Sequence, residues 1–164
     1  MATGLAVLTL VHVVISLIGI VSGLVVTSGL LRSQRMDGLT ALFLVTTVAT
    51  SATGFLFPFH KLLPSHILGA ISLVALAIAI VARYAKQMAR GWRRTYVIFA
   101  MMAFYLNAFV LVAQLFMKVP ALHALAPTQS EPPFAITQVI LLIFFLAVSI
   151  LAAVRFRESA TISA

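Results

Sequence analysis

His12, His66, Gln114 and Gln138 are polar side chains set in long apolar runs, and they define the chemistry this sequence could offer. Neutral imidazoles from two separate helices can supply both axial ligands of a b-type haem, with small residues nearby leaving space for the ring. His12 and His66 form the candidate pair and are the candidate metal ligands. The glutamine amides can donate to quinone carbonyls, and a neutral histidine can accept from a quinol hydroxyl; Asn107 joins them as a further binding candidate. On helices rising 1.5 Å per residue, His12, Gln114 and Gln138 fall at one depth, about 10 Å to the outer side of the midplane. His66 sits one layer above, and Asn107 lies near the centre. His60, His123 and Glu131 lie further out, where the four histidines together could hold copper or zinc and Glu131 could accept a proton.

Each residue also has a plainer use. An interior histidine is satisfied by a neighbouring carbonyl or threonine. The amides serve as interhelical hydrogen bonds. His66 can cap its helix or meet lipid head groups, and Glu131 can sit solvated in its loop.

The elements that carry these residues follow from composition. The chain is 63% hydrophobic and 9% charged over 164 residues, with a mean hydropathy of +1.17, too apolar for a water-soluble domain. Five runs stand out, Gly4–Leu31, Leu39–Phe59, Ser65–Met88, Trp92–Val119 and Phe134–Arg157. About 20 residues of helix cross about 30 Å of hydrocarbon, whereas barrel strands alternate over about 10, so the fold class is all-α. The expectation is a single polytopic bundle, residues 1–164, with five transmembrane helices. The second run is the shortest and is rich in threonine. The first lacks a basic leader and is too long for a signal peptide, so it is read as a retained span.

Nine of the eleven Lys and Arg residues fall in three clusters: Arg32 and Arg35; Arg83, Lys86, Arg90, Arg93 and Arg94; Arg155 and Arg157. With five spans these share one side, which the positive-inside rule makes cytoplasmic, placing the N-terminus outside and the C-terminus inside. Lys61 and Lys118 remain on the outer side. The net charge of +8 is thereby explained without nucleic acid, and its surplus is suited to anionic lipid. Absence of cysteine removes disulfides, iron–sulfur clusters and thiolate zinc sites. There is no HExxH, GxSxG, phosphate loop or carboxylate pair, and no charge at the midplane to couple ion transport.

Finer patterning predicts contacts. In the first run His12, Ser16, Gly19, Gly23 and Thr27 make one small-or-polar stripe, and Gly19–Gly23 is a GxxxG that admits a close helix. In the fourth, Tyr96, Ala100, Ala103, Asn107, Val110 and Gln114 share a face. The second run's hydroxyls can bond their own helix carbonyls. Asp37-Gly38 reads as a turn and cap, Ala121–Ala126 as a helical turn on the membrane, and Pro127–Pro133 as extended chain.

The strings Thr40-Ala41-Leu42-Phe43-Leu44, Thr53-Gly54-Phe55, Pro64-Ser65-His66-Ile67 and Ala126-Pro127-Thr128-Gln129-Ser130-Glu131-Pro132-Pro133-Phe134 resemble those of a family of small, uncharacterised bacterial inner-membrane proteins. The resemblance implies a multi-pass protein of the bacterial inner membrane and no particular activity.

The functional expectation is a protein that binds haem b or quinone in a polar layer on the periplasmic side, serving electron transfer. Two other classes stay open. One is a non-catalytic small subunit or assembly factor, partnered by another membrane protein or by its own copies. The other is permeation of a small neutral solute along the first helix.

Overall fold

The computed structural model describes residues 2–57 and 64–157. Among the described residues six α-helices follow in order, α1 (Ala2–Leu31), α2 (Asp37–Gly54), α3 (Pro64–Ile80), α4 (Trp92–Lys118), α5 (Pro120–Leu125) and α6 (Pro132–Arg155). A five-residue π-helical turn, Val81–Ala85, continues α3. No strand occurs among the described residues. Among the described residues four segments, Thr3–Leu31, His66–Ala85, Trp92–Lys118 and Pro132–Arg155, are long and apolar enough to cross a membrane. The protein is an all-helical bundle of membrane type.

The second run makes a shorter helix than expected. Its 18 residues span about 27 Å at the helical rise, just under a hydrocarbon core. It stops because the Phe55 N–H tightens onto the Ala52 carbonyl, 3.2 Å away, shortly before Pro58. Pro58 and Phe59, where the run was expected to end, lie outside the described residues, as do His60 and Lys61. The third run also departs from a plain α-helix. The Lys86 N–H bonds the Val81 carbonyl five residues back, at 2.9 Å, and left-handed φ values at Gln87, Met88 and Arg90 then end the helix. In the segment expected to be extended, the chain turns and α6 begins at Pro132, since proline loses nothing at a helix start.

α4 is the hub, packing against α1, α2, α3, α5 and α6. α3 and α4 pack together, and Ala75, Ala79 and Ala82 on the α3 side and Ala100 and Ala103 of α4 are all buried in the same core cluster, small residues that let backbones come close. α2 lies between α1 and α3, with extensive contact to each.

Two clasps gather the helix ends that the basic clusters mark. Asp37 pairs with Arg83, joining the start of α2 to the end of α3. The Ser33 hydroxyl donates to the Arg157 carbonyl at 2.7 Å and accepts from the Arg157 N–H at 2.8 Å. Ser33 is held for this by the terminus of α1. Gln34 N–H bonds the Gly29 carbonyl at 2.8 Å and Ser33 N–H the Leu30 carbonyl at 3.2 Å, with Ser33 at φ 56°. This is a Schellman ending with serine where glycine is usual.

Candidate functional site

His12 of α1 is half-buried against the end of α2. Its Nδ1 lies 2.8 Å from Thr53 Oγ1, and the Phe57 ring meets it edge-on at 5.2 Å. The Thr53 hydroxyl has one proton, and the Ala49 carbonyl takes it at 2.7 Å. With that proton directed to Ala49, Thr53 accepts from His12, an arrangement that favours the Nδ1–H tautomer and leaves the Nε2 lone pair available.

Asn107 of α4 accepts from the Ser16 hydroxyl at 3.0 Å, bridging α1 to α4. Its Nδ2 is buried without a hydrogen-bond acceptor. Gln138 of α6 donates from Nε2 to the Phe109 carbonyl at 3.2 Å, bridging α6 to α4, and its Oε1 is buried without a donor. His66 is buried, with its ring 5.7 Å from that of Phe55.

The candidates do not gather in a common space. His12, Asn107 and Gln138 occupy three different helix interfaces. His12 meets Thr53 and Phe57, while His66 meets Phe55. Gln114 is exposed. It lies on the Asn107 face, seven residues on, but the helices covering that face at Asn107 no longer cover it two turns later.

Glu131 closes its own loop. Its carboxylate accepts from the Thr128 hydroxyl at 2.8 Å and from the Thr128 and Ser130 N–H groups at 3.2 and 3.1 Å. Desolvation raises its pKa, but these hydrogen bonds together outweigh it and hold the carboxyl below its usual range. A carboxylate kept ionised by its own loop is a poor proton acceptor near neutral pH. His123 is exposed on α5. Among the described residues no three of His, Asp and Glu gather as a metal would require; the fourth histidine, His60, lies outside them.

The stripe on α1 is covered by its neighbours. A Cβ at Gly19 would lie 3.2 Å from Thr46 Oγ1 and 3.3 Å from Thr47 Oγ1, and one at Gly23 would lie 3.0 to 3.1 Å from the Phe104 ring. The glycines admit helix contact, as the GxxxG spacing predicts.

The other end holds a cluster that sequence reasoning missed. Arg83 belongs to the basic cluster between the third and fourth runs, yet it is 2% exposed. Its guanidinium lies 5.0 Å over the Tyr96 ring and pairs with Asp37, while Asp37 itself remains 67% exposed and also pairs with Arg35 at 2.9 Å. These bonds, led by the one from Arg35, hold the Asp37 carboxyl below its ordinary range. Asp37, read as a turn residue, is thus the counter-ion of a buried arginine. The available signal was spacing: Arg83 follows Ala75 and Ala79 at intervals of four, on the face that packs inward.

Comparison of the chain with family models, curated proteins and solved structures finds no match.

Proposed function

We propose that the protein is a non-catalytic, five-span subunit of the bacterial inner membrane that packs within a larger membrane assembly. α2 serves as the fifth span. Its threonines return their hydroxyls to their own helix, Thr46 to Leu42, Thr47 to Phe43 and Thr50 to Thr46, so they can cross hydrocarbon satisfied. Support for the N-out, C-in orientation comes from the two clasps, which bring the ends of α1, α3 and α6 and the start of α2 to the basic side. The inner-membrane assignment rests on the four resembling strings.

The observation that carries the non-catalytic reading is the dispersal of His12, Asn107 and Gln138 over three interfaces, each tied to a neighbouring helix. Polar groups used this way hold a bundle together and leave little directed at a shared ligand. The test is purification from native membranes in mild detergent followed by native mass spectrometry. A stoichiometric protein partner is the expected result; a solitary chain carrying pigment or quinone would refute it.

One feature favours a second reading, binding of a quinol near the outer end. The Nε2 lone pair of His12, set by Thr53, is an acceptor for a quinol hydroxyl, and that site needs no second histidine. Solvent extraction of the purified protein should then yield quinone, and His12→Phe should lose it. Equal quinone in both proteins would dismiss this reading, and a Soret band in the wild-type spectrum would restore haem in its place.

A further inference from the structure

We infer that the groove between α2 and α3 is a binding site for an acidic phospholipid, with one acyl chain along the groove and its phosphate at the basic end. The groove is an open one of about 490 Å³, lined by Ala41, Val45, Val48 and Ala49 of α2 together with Ile80 and Tyr84 at the end of α3. Its lining is almost wholly apolar, which suits a hydrocarbon chain and neither a quinone head nor a peptide. From Ala41 to Ala49 it runs about 12 Å along the helix, close to the roughly 15 Å depth of one leaflet's hydrocarbon.

Charge complementarity identifies the occupant. The groove ends at Tyr84, which is 52% exposed and sits between Arg83 and Lys86 in the chain. On the α2 side, one turn before Ala41, lie Asp37 and Arg35. Among the described residues that end of the bundle carries nine Lys and Arg residues against Asp37 alone, so an anionic phosphate is attracted where a zwitterionic headgroup gains much less. Lys86 is placed to serve it, its Nζ held 5.5 Å over the Trp92 ring, an aromatic of the kind found at headgroup depth.

The π-turn shapes this mouth. It holds Arg83 inward against Tyr96 and Asp37 while the next residue, Tyr84, faces outward to close the groove. Two adjacent side chains are thereby assigned to different tasks, one internal and one toward lipid.

The site rests on membrane embedding alone and does not depend on whether the protein is a subunit or a quinol binder. The experiment uses full-length protein in detergent, with thermal unfolding and native mass spectrometry recorded after adding phosphatidylglycerol, phosphatidylcholine or inorganic phosphate. Phosphatidylglycerol should remain bound and raise the unfolding temperature; phosphatidylcholine and phosphate should do neither. Val45→Trp fills the groove from a position 67% exposed, so it should fold and lose the retained lipid by tenfold or more. Ala41→Phe provides the same obstruction one turn away if the tryptophan variant folds poorly. Lys86→Gln should weaken phosphatidylglycerol several-fold without affecting phosphatidylcholine. Equal retention of both lipids, stabilisation by phosphate alone, or unchanged retention in the groove-filling variants would overturn the assignment.

Discussion

Gly23 offers the sharpest test of the packing. Its hydrogen faces Phe104, and a Cβ there would lie 3.0 to 3.1 Å from three atoms of that ring, closer than ordinary contact. The ring cannot retreat, because Phe104 is 2% exposed and is flanked edge-on by Phe43 at 5.7 Å and Phe145 at 5.0 Å. Overpacking of this kind costs about 1 to 3 kcal/mol. Replacing glycine by alanine within a helix returns about 1 kcal/mol through propensity, so Gly23→Ala should destabilise by about 0 to 2 kcal/mol. Gly23→Leu adds three more carbons against the same ring and should exceed about 3 kcal/mol. Val21, two residues away and 62% exposed, provides the control: Val21→Leu should stay within about 0.5 kcal/mol. Unfolding with sodium dodecyl sulfate from dodecylmaltoside micelles, followed by far-UV circular dichroism, measures all three. A Gly23→Leu protein as stable as Val21→Leu would refute the α1–α4 packing described here.

The buried arginine gives two further expectations. Asp37→Asn leaves the Arg83 cation without its main partner; breaking a fully buried pair costs about 3 to 5 kcal/mol, and the solvent around Asp37 reduces this to about 1 to 2 kcal/mol. The double variant Asp37→Asn/Arg83→Met removes the stranded charge and should recover most of that loss in the same titration. Because the folded Asp37 carboxyl lies below its unfolded value of about 3.9, its stabilisation is fully present above that value and is lost as the pH falls through the lower folded value. Stability against pH should therefore be flat through the neutral range and drop below about pH 4, with a smaller drop in Asp37→Asn. For topology, a membrane-impermeant thiol reagent on intact cells should label a cysteine placed at Ser130 and spare one at Ser33; the reverse pattern would invert the orientation.

Much of this bundle was legible because its main signals are local. Apolar run length and charge clustering identify α1, α4 and α6 within a few residues of their ends, and the spacing of Gly19 and Gly23 marks a close contact without naming its partners. The satisfied state of His12 by a threonine was among the readings open from sequence, but Thr53 could not be singled out in a helix rich in hydroxyls. Gln114, read at the depth of His12 and Gln138, is exposed, and the sequence could not show this for a physical reason. Helical rise fixes depth, whereas exposure depends on which neighbours reach that level. Arg83 was hidden for the opposite reason: four cations follow it closely in sequence, and only the fold separates the one turned inward.

The hub position of α4 sets the order in which this chain can be completed at the ribosome. The three helices made before it form a row with α2 in the middle, and two of their polar groups lack a native contact until the fourth emerges. Ser16 waits for Asn107, and Arg83 has its aspartate but not the Tyr96 ring. A nascent chain ending at Gly91 should accordingly be short-lived in a pulse-chase measurement, and one ending at Lys118 should persist. Synthesis of Trp92–Lys118 is then the step at which an open row of helices closes around its axis, and any factor that guards the unfinished protein has its work before that point.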